Sequence, residues 1–429
     1  MNNSTQTDRA FPGAASGAGA LQYPRNPVNL VDRIFAVVFV VYIISLIVLP
    51  TGNVLGVNVK LLLFLALMPP ALDRCLRQEP SSAAWLLAIP TLFSFWVLLG
   101  LLNSFPLSLV LAEYKDLITT LAGSWLIALF IAQSEARTIR FLRLVVYCVA
   151  AIGAVKIAIL YYSFTSGVSV AEIIRGISRA FGVELVTLDF GDFGRVEFIS
   201  DGLIPLCLFA VVGLRVELGL RRVTMLLLLA VSVFSAVLTF SRYLWVFSTL
   251  AICMGLVSAR KEPIHLLFLA VAATVTAMFY DLLYAMISFR FSDSHTDDSD
   301  FARNEQKSAL ATFFEEAPVF GHGLGSYTPQ VIRSETLPYS YENQLLALAG
   351  QIGIVGLLLL SGLLLAYYRK LIATRHHSLT YKSTVMALLL TWILGGLLNP
   401  GLISSTAAVS YGFLWALGGL RRSPERAPD

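Results

Sequence analysis

The sequence predicts an all-α, polytopic membrane protein with about twelve transmembrane helices and a large, partly helical periplasmic loop. Three observations carry that prediction. The 429-residue chain is 57% hydrophobic and 14% charged, with a mean hydropathy of +0.74. A water-soluble domain could not cover so much apolar surface with so few polar groups, whereas lipid is a solvent that suits it. The apolar residues also gather into runs near the ~20 residues that a helix needs to cross a bilayer. Finally, the basic residues divide unevenly between alternate connections.

The runs fall near residues 34–50, 54–72, 83–102, 117–133, 144–163, 199–214, 223–239, 243–258, 264–288, 344–368, 383–398 and 401–420. With both termini in the cytoplasm, twenty of the 31 Lys and Arg lie on the inner side, ten on the outer side, and Lys156 within a span. The opposite orientation would invert that bias, so the positive-inside rule selects the first. Residues 1–28 and 423–429 read as cytoplasmic tails of a single transmembrane domain, 29–422. The first tail lacks the basic start and short apolar core of a signal peptide. The net charge of +4 sits along the inner face and gives no reason to expect a nucleic-acid partner. Cys75, Cys148, Cys207 and Cys253 are too scattered for a disulfide framework or a metal cluster.

Outer-side polarity collects in loops 164–198 and 289–343. Within the second, "DDSDFARNEQKSALATFFEEAP" reads as a helix that Asp298, Ser299 or Asp300 caps and Pro318 and Gly321 end. Its apolar members Phe301, Leu310, Phe313 and Phe314 are expected to lie against the membrane domain. A glycine-rich turn, "GHGLGSY", follows. Neither an internal repeat nor a matched pair of broken helices of the transporter kind is visible.

Several residues carry two readings. Arg242, in "LTFSRYLW", is either a snorkelling anchor at the headgroup level or an anion site, since a guanidinium matches phosphate oxygens in a fork. Arg195, Arg303 and Arg333 are each a salt-bridged loop arginine or, together, a convergent set of cations. Lys156 is the one basic residue deep in a span, and there it either binds a ligand or is paired within the bundle. His322, between glycines, is a base or a structural residue. "DSHTDDSD" lacks the glycine and closing glutamate of an EF-hand loop and reads as a solvated segment. Glu342, at the start of the run after the large loop, either satisfies free backbone N–H groups or acts as a general base at the membrane edge.

These stretches resemble the O-antigen ligase and polymerase superfamily of bacterial membrane glycosyltransferases. Its hallmark at the end of the large periplasmic loop is a histidine, then Asn, Ser or Gln, two free positions, Leu, six free positions and Gly. Here Asn343, Leu346 and Gly353 fit, and Glu342 stands in place of the histidine. Pro318, Gly321 and Gly323 look like the family's Pro-x-x-Gly-x-Gly turn. Arg303 is similar to the arginine one helix before it, "TFSRYLW" to the Ser-Arg pair, and "GLLNPGLIS" to the Asn-Pro before the last span.

The resemblance implies a GT-C-like membrane fold in a bacterial inner membrane and a reaction that needs no cofactor, metal or nucleotide sugar. A glycan on undecaprenyl diphosphate is the donor, and the lipid diphosphate is the leaving group. Arg242 and Arg303, with Arg195 and further contacts from Arg333, Lys156 and His322, would hold the substrate. Glu342 would deprotonate the acceptor hydroxyl, and Asn343 would orient it. Because a ligase is expected to use the histidine, Glu342 favours a polymerase of lipid-linked repeat units, with a chain-length regulator as partner. A ligase acting on lipid A core is the alternative. Transport of a lipid-linked glycan fits the twelve spans but not the polarity gathered on one face.

Overall fold

A computed structural model describes residues 30–49, 53–54, 57–78, 80–181, 189–190, 193–194, 196–259, 294–332, 334, 337–373 and 378–420. The two tails, the ninth apolar run, Arg195 and Arg333 lie outside them.

The described residues form thirteen α-helices. They are α1 (Leu30–Val48), α2 (Val59–Gln78), α3 (Pro80–Leu102), α4 (Leu107–Ile131), α5 (Glu135–Ser166), α6 (Val170–Phe181), α7 (Ile204–Gly213), α8 (Arg222–Leu238), α9 (Arg242–Ser258), α10 (Ser294–Glu316), α11 (Gln344–Ala373), α12 (Leu379–Gly395) and α13 (Ser405–Gly419). Two short hairpins, Asn53–Val54 with Val57–Asn58 and Asp189–Phe190 with Phe193–Gly194, interrupt them. Each of the eleven apolar runs within the described residues is largely helical. Four segments are long and apolar enough to cross a membrane: Ala84–Leu102, Leu107–Ile131, Glu135–Ser166 and Gln344–Arg369. Ile199–Gly213, Arg222–Leu238, Arg242–Ser258 and Leu379–Gly395 are apolar but shorter. The architecture is that of an all-α integral membrane protein.

Local sequence explains where the helices begin. Ser134, Ser378 and Ser404 cap α5, α12 and α13, each hydroxyl accepting from the backbone N–H three residues on. All ten residues of α7 are buried, and this helix packs against α5, α8 and α9 in the centre of the bundle. Thr406 at the start of α13 donates to the carbonyl of Leu46 near the end of α1, so those two ends share one face.

Two sequence expectations change. The segment 164–198, read as a loop, contains helix α6. Val170 and Ile174 are buried and Ile177 half-buried, at helical spacing, against Ile159 and Val196. Glu172, Arg175 and Arg179 remain exposed, the pattern of a helix lying along an interface. In the larger loop, α10 starts at Ser294, earlier than the expected cap at 298–300. The acidic residues therefore occupy its first turns, where the helix dipole favours negative charge. Leu310 and Phe313 are buried as expected, but Phe301 is 72% exposed, being off their face of the helix.

Candidate active site

One stripe of α10 docks on the start of α11. Arg303, Gln306, Leu310 and Phe313 recur at three- and four-residue spacing and so share a helix face. The Arg303 Nε donates to Glu342 Oε2 at 2.7 Å, with the two side chains 32% and 26% exposed. The buried Gln306 accepts from Asn343 N through Oε1 at 3.4 Å. Leu310 packs with Tyr341 and Ala347, and Phe313 lies directly over Gly350. Helical register thus delivers a guanidinium to a carboxylate 39 residues away.

Asn343 is the N-cap of α11. It is buried, and its Oδ1 accepts from Leu346 N at 3.1 Å. The capping role considered for Glu342 therefore belongs to its neighbour. That contact commits the Asn343 carboxamide oxygen to the start of α11, directly after Glu342. Gln344, the next residue, accepts from Leu402 N at 2.6 Å and Ile403 N at 3.3 Å, which ties the Asn399–Pro400 segment to the same spot.

The glycine-rich turn and the distal glycine of the motif form one interlocked unit. Gly353 adopts φ 63° and ψ −174° and breaks the i to i−4 ladder of α11. Its neighbours' groups are satisfied by the turn. Ile354 N and Val355 N donate to Pro318 O and Val319 O, while His322 N and Gly323 N donate to Gly350 O and Gln351 O. A Cβ on Gly353 would sit 2.4 Å from Val319 O, and one on Gly323 only 2.0 Å from Gly100 N of α3. Both also hold a left-handed φ, which only glycine adopts without strain. This is the physical content of the spacing between Pro318, Gly321, Gly323 and Gly353.

His322 serves this unit structurally. Its ring stacks on Phe313 at 4.1 Å between centroids, and Nε2 lies 2.8 Å from Phe313 O. Since a carbonyl only accepts, Nε2 carries a proton. The His322 carbonyl accepts from Asn103 Nδ2 at 2.8 Å. Further bonds fix the turn to the membrane helices. Trp96 Nε1 donates to Phe320 O at 2.8 Å, Gln351 Nε2 donates to Ser326 O at 3.1 Å, and Glu113 of α4 accepts from Gly325 N.

Arg242 is the first residue of α9, half-buried, behind Ser241. Tyr243 beside it packs on Gly395, and Leu345 N donates to Gly396 O at 3.1 Å. The starts of α9 and α11 thus meet the same end of α12, which brings the Arg242 corner beside the Glu342 segment. Lys156 is elsewhere. It is fully buried, and its Nζ donates to Asp201 Oδ2 at 2.6 Å, ahead of α7. Of its two readings it takes the paired one, which leaves the ammonium no solvent face for a ligand.

Sequence reasoning missed Glu113, Gln306, Gln344 and Gln351. "AEYKD", a charged patch joined to an apolar run, was a visible signal for Glu113. The glutamines had none, because their partners lie far away along the chain.

Residues 225–361 match the model of a family described as O-antigen ligase. A search of curated proteins finds no match. The matched segment contains Arg242, Arg303, the glycine turn and Glu342 through Gly353. Residues 225–361 are therefore similar to the O-antigen ligase family, and that likeness supports glycan transfer of this general type.

Proposed function

We propose that this protein polymerises lipid-linked oligosaccharide repeat units, moving a glycan from undecaprenyl diphosphate to the hydroxyl of an acceptor sugar. The reaction takes place on the loop side of the membrane, the periplasmic side of a bacterial inner membrane, with both termini cytoplasmic. The observation that carries this reading is the Arg303–Glu342 pair, partly exposed, beside the docked loop.

In the resting state the guanidinium holds the carboxylate. An incoming diphosphate competes for Arg303, because its oxygens accept the same N–H donors. Arg303, joined by Arg242 and Arg195, then neutralises the leaving group, and a Glu342 oxygen accepts the proton of the acceptor hydroxyl. The hydroxyl oxygen bonds to the anomeric carbon as the carbon–oxygen bond to the diphosphate breaks, and the diphosphate leaves with that electron pair. Charge developing on the leaving group is what the arginines stabilise in the transition state. Asn343 and Gln306 contribute by fixing the backbone at Glu342, and Gly353 by seating the turn that carries α10.

A ligase is the second reading, favoured by the description of the matched family; Glu342 in the histidine position favours the polymerase. Purified protein supplied with lipid-linked glycan alone separates them. Elongation without lipid A core is the expected result. Transfer that occurs only when lipid A core is added would replace the polymerase with the ligase.

A further inference from the structure

On the face opposite the loop, a cavity of about 150 Å³ opens between α1, α2 and the end of α4. Its walls include Phe35, Cys75, Leu126 and Phe130, and its polar members are Arg74 and Gln133. Arg74 pairs with Asp32 and stands over the Phe35 ring at 5.3 Å. Arg137, in the first turn of α5, stands over the Phe130 ring at 4.9 Å and donates to Gln133. Those two rings pack on each other at 5.8 Å between centroids. The aromatic floor therefore holds one guanidinium, Arg74, in the cavity wall and a second, Arg137, beside it on the lining residues Phe130 and Gln133, and cation–π contact of this kind limits where each can point. Arg140 and Arg74 are near enough to repel Arg137, and Asp32 near enough to attract it. Three guanidiniums thus stand against Asp32 and the exposed Glu135, an excess of positive charge beside an apolar cavity. Beyond it, α1 presents Ile34, Val37 and Val41 at 54%, 62% and 46% exposure, an apolar stripe leading along the membrane.

We propose that this cavity binds the phosphodiester of an anionic phospholipid, with Arg74 and Arg137 as donors and the acyl chains along the α1 stripe. Basic pockets between helices at the cytoplasmic interface suit such headgroups. A guanidinium fork fits phosphate oxygens, and the apolar rim fits the chains. The site shares no residue with the proposed glycan chemistry and stands independently of it.

Native mass spectrometry of the delipidated full chain in detergent tests this. The probes are dioleoyl phosphatidylglycerol, dioleoyl phosphatidylcholine and inorganic phosphate. Phosphatidylglycerol should be retained over phosphatidylcholine. Arg137→Gln and Arg74→Gln should each weaken that retention about fivefold, the effect expected of one basic residue near an anionic lipid. Arg137 is half-buried at the surface, so its variant tests the site even if the Arg74 variant unfolds. Arg222→Gln, an exposed arginine at the start of α8, should leave retention unchanged. Equal retention of both lipids, wild-type retention by Arg137→Gln, or an equal loss in Arg222→Gln would overturn the proposal. Inorganic phosphate displacing nothing while phosphatidylglycerol binds is expected; phosphate bound in place of lipid would make this a free-phosphate site and overturn the lipid assignment.

Discussion

Two ion pairs of nearly equal length in this molecule have opposite surroundings. Lys156–Asp201 spans 2.6 Å with its side chains 0% and 2% exposed. Arg303–Glu342 spans 2.7 Å with 32% and 26% exposed. The first is closed. Asp201 Oδ2 also accepts from Phe198 N at 2.7 Å, and Lys156 Nζ lies 5.6 Å from the centre of the Phe198 ring. Enclosure of that kind makes each charge depend on the other, because neither can turn to water. The second pair is open to water on both sides, and a partly exposed pair contributes little by itself. Distance does not separate the two pairs; access to water does.

Breaking the closed pair should have the largest effect on stability. Lys156→Met takes the counter-charge from the buried Asp201 and should cost about 3–5 kcal/mol, read as a fall in thermal unfolding temperature in detergent. Adding Asp201→Leu should restore much of that loss, because no buried charge is then left alone. Opening the exposed pair should act on turnover instead. Arg303→Ala should lower elongation by about 10²–10³-fold, the loss typical of one transition-state donor, with the unfolding temperature nearly unchanged. Equal falls in turnover and stability in that variant would make the pair structural after all.

Support around the exposed pair should give smaller effects. Gly353→Ala forces a left-handed residue and a Cβ 2.4 Å from Val319 O. It should cost about 1–3 kcal/mol and expose the loop to limited proteolysis near the turn. Asn343→Ala removes the cap of α11 and should cost about 1 kcal/mol. Its mark on turnover should be modest and should be shared by Gln306→Ala, since both act through the position of the Glu342 backbone.

How much of this was legible in the sequence depends on the range of the interaction. Apolar runs mapped onto helices, because hydropathy reports burial along one segment. Arg303 and Glu342 were each singled out by motif order, with no local sign that the two residues touch. Gly353 was marked by the motif, but its role as the break that receives the glycine turn depends on a partner about thirty residues earlier in the chain. Of the two readings of Glu342, the capping one belongs one residue on, at Asn343. Asn343 and Glu342 both suit a helix start, and in the fold Glu342 pairs with Arg303 while Asn343 caps. Helix α6 was hidden for another reason: its apolar stripe is too short and interrupted to register as a membrane run.

The most direct test of the account is donor binding and turnover measured together in Glu342→Gln, with purified protein and a lipid-diphosphate-linked glycan. Removing the carboxylate that occupies Arg303 should leave donor affinity equal to wild type or tighter. Elongation should fall by about 10²–10⁴-fold, the range for a lost general base. Elongation by Glu342→Gln at the wild-type rate would contradict the assignment of Glu342 as the base.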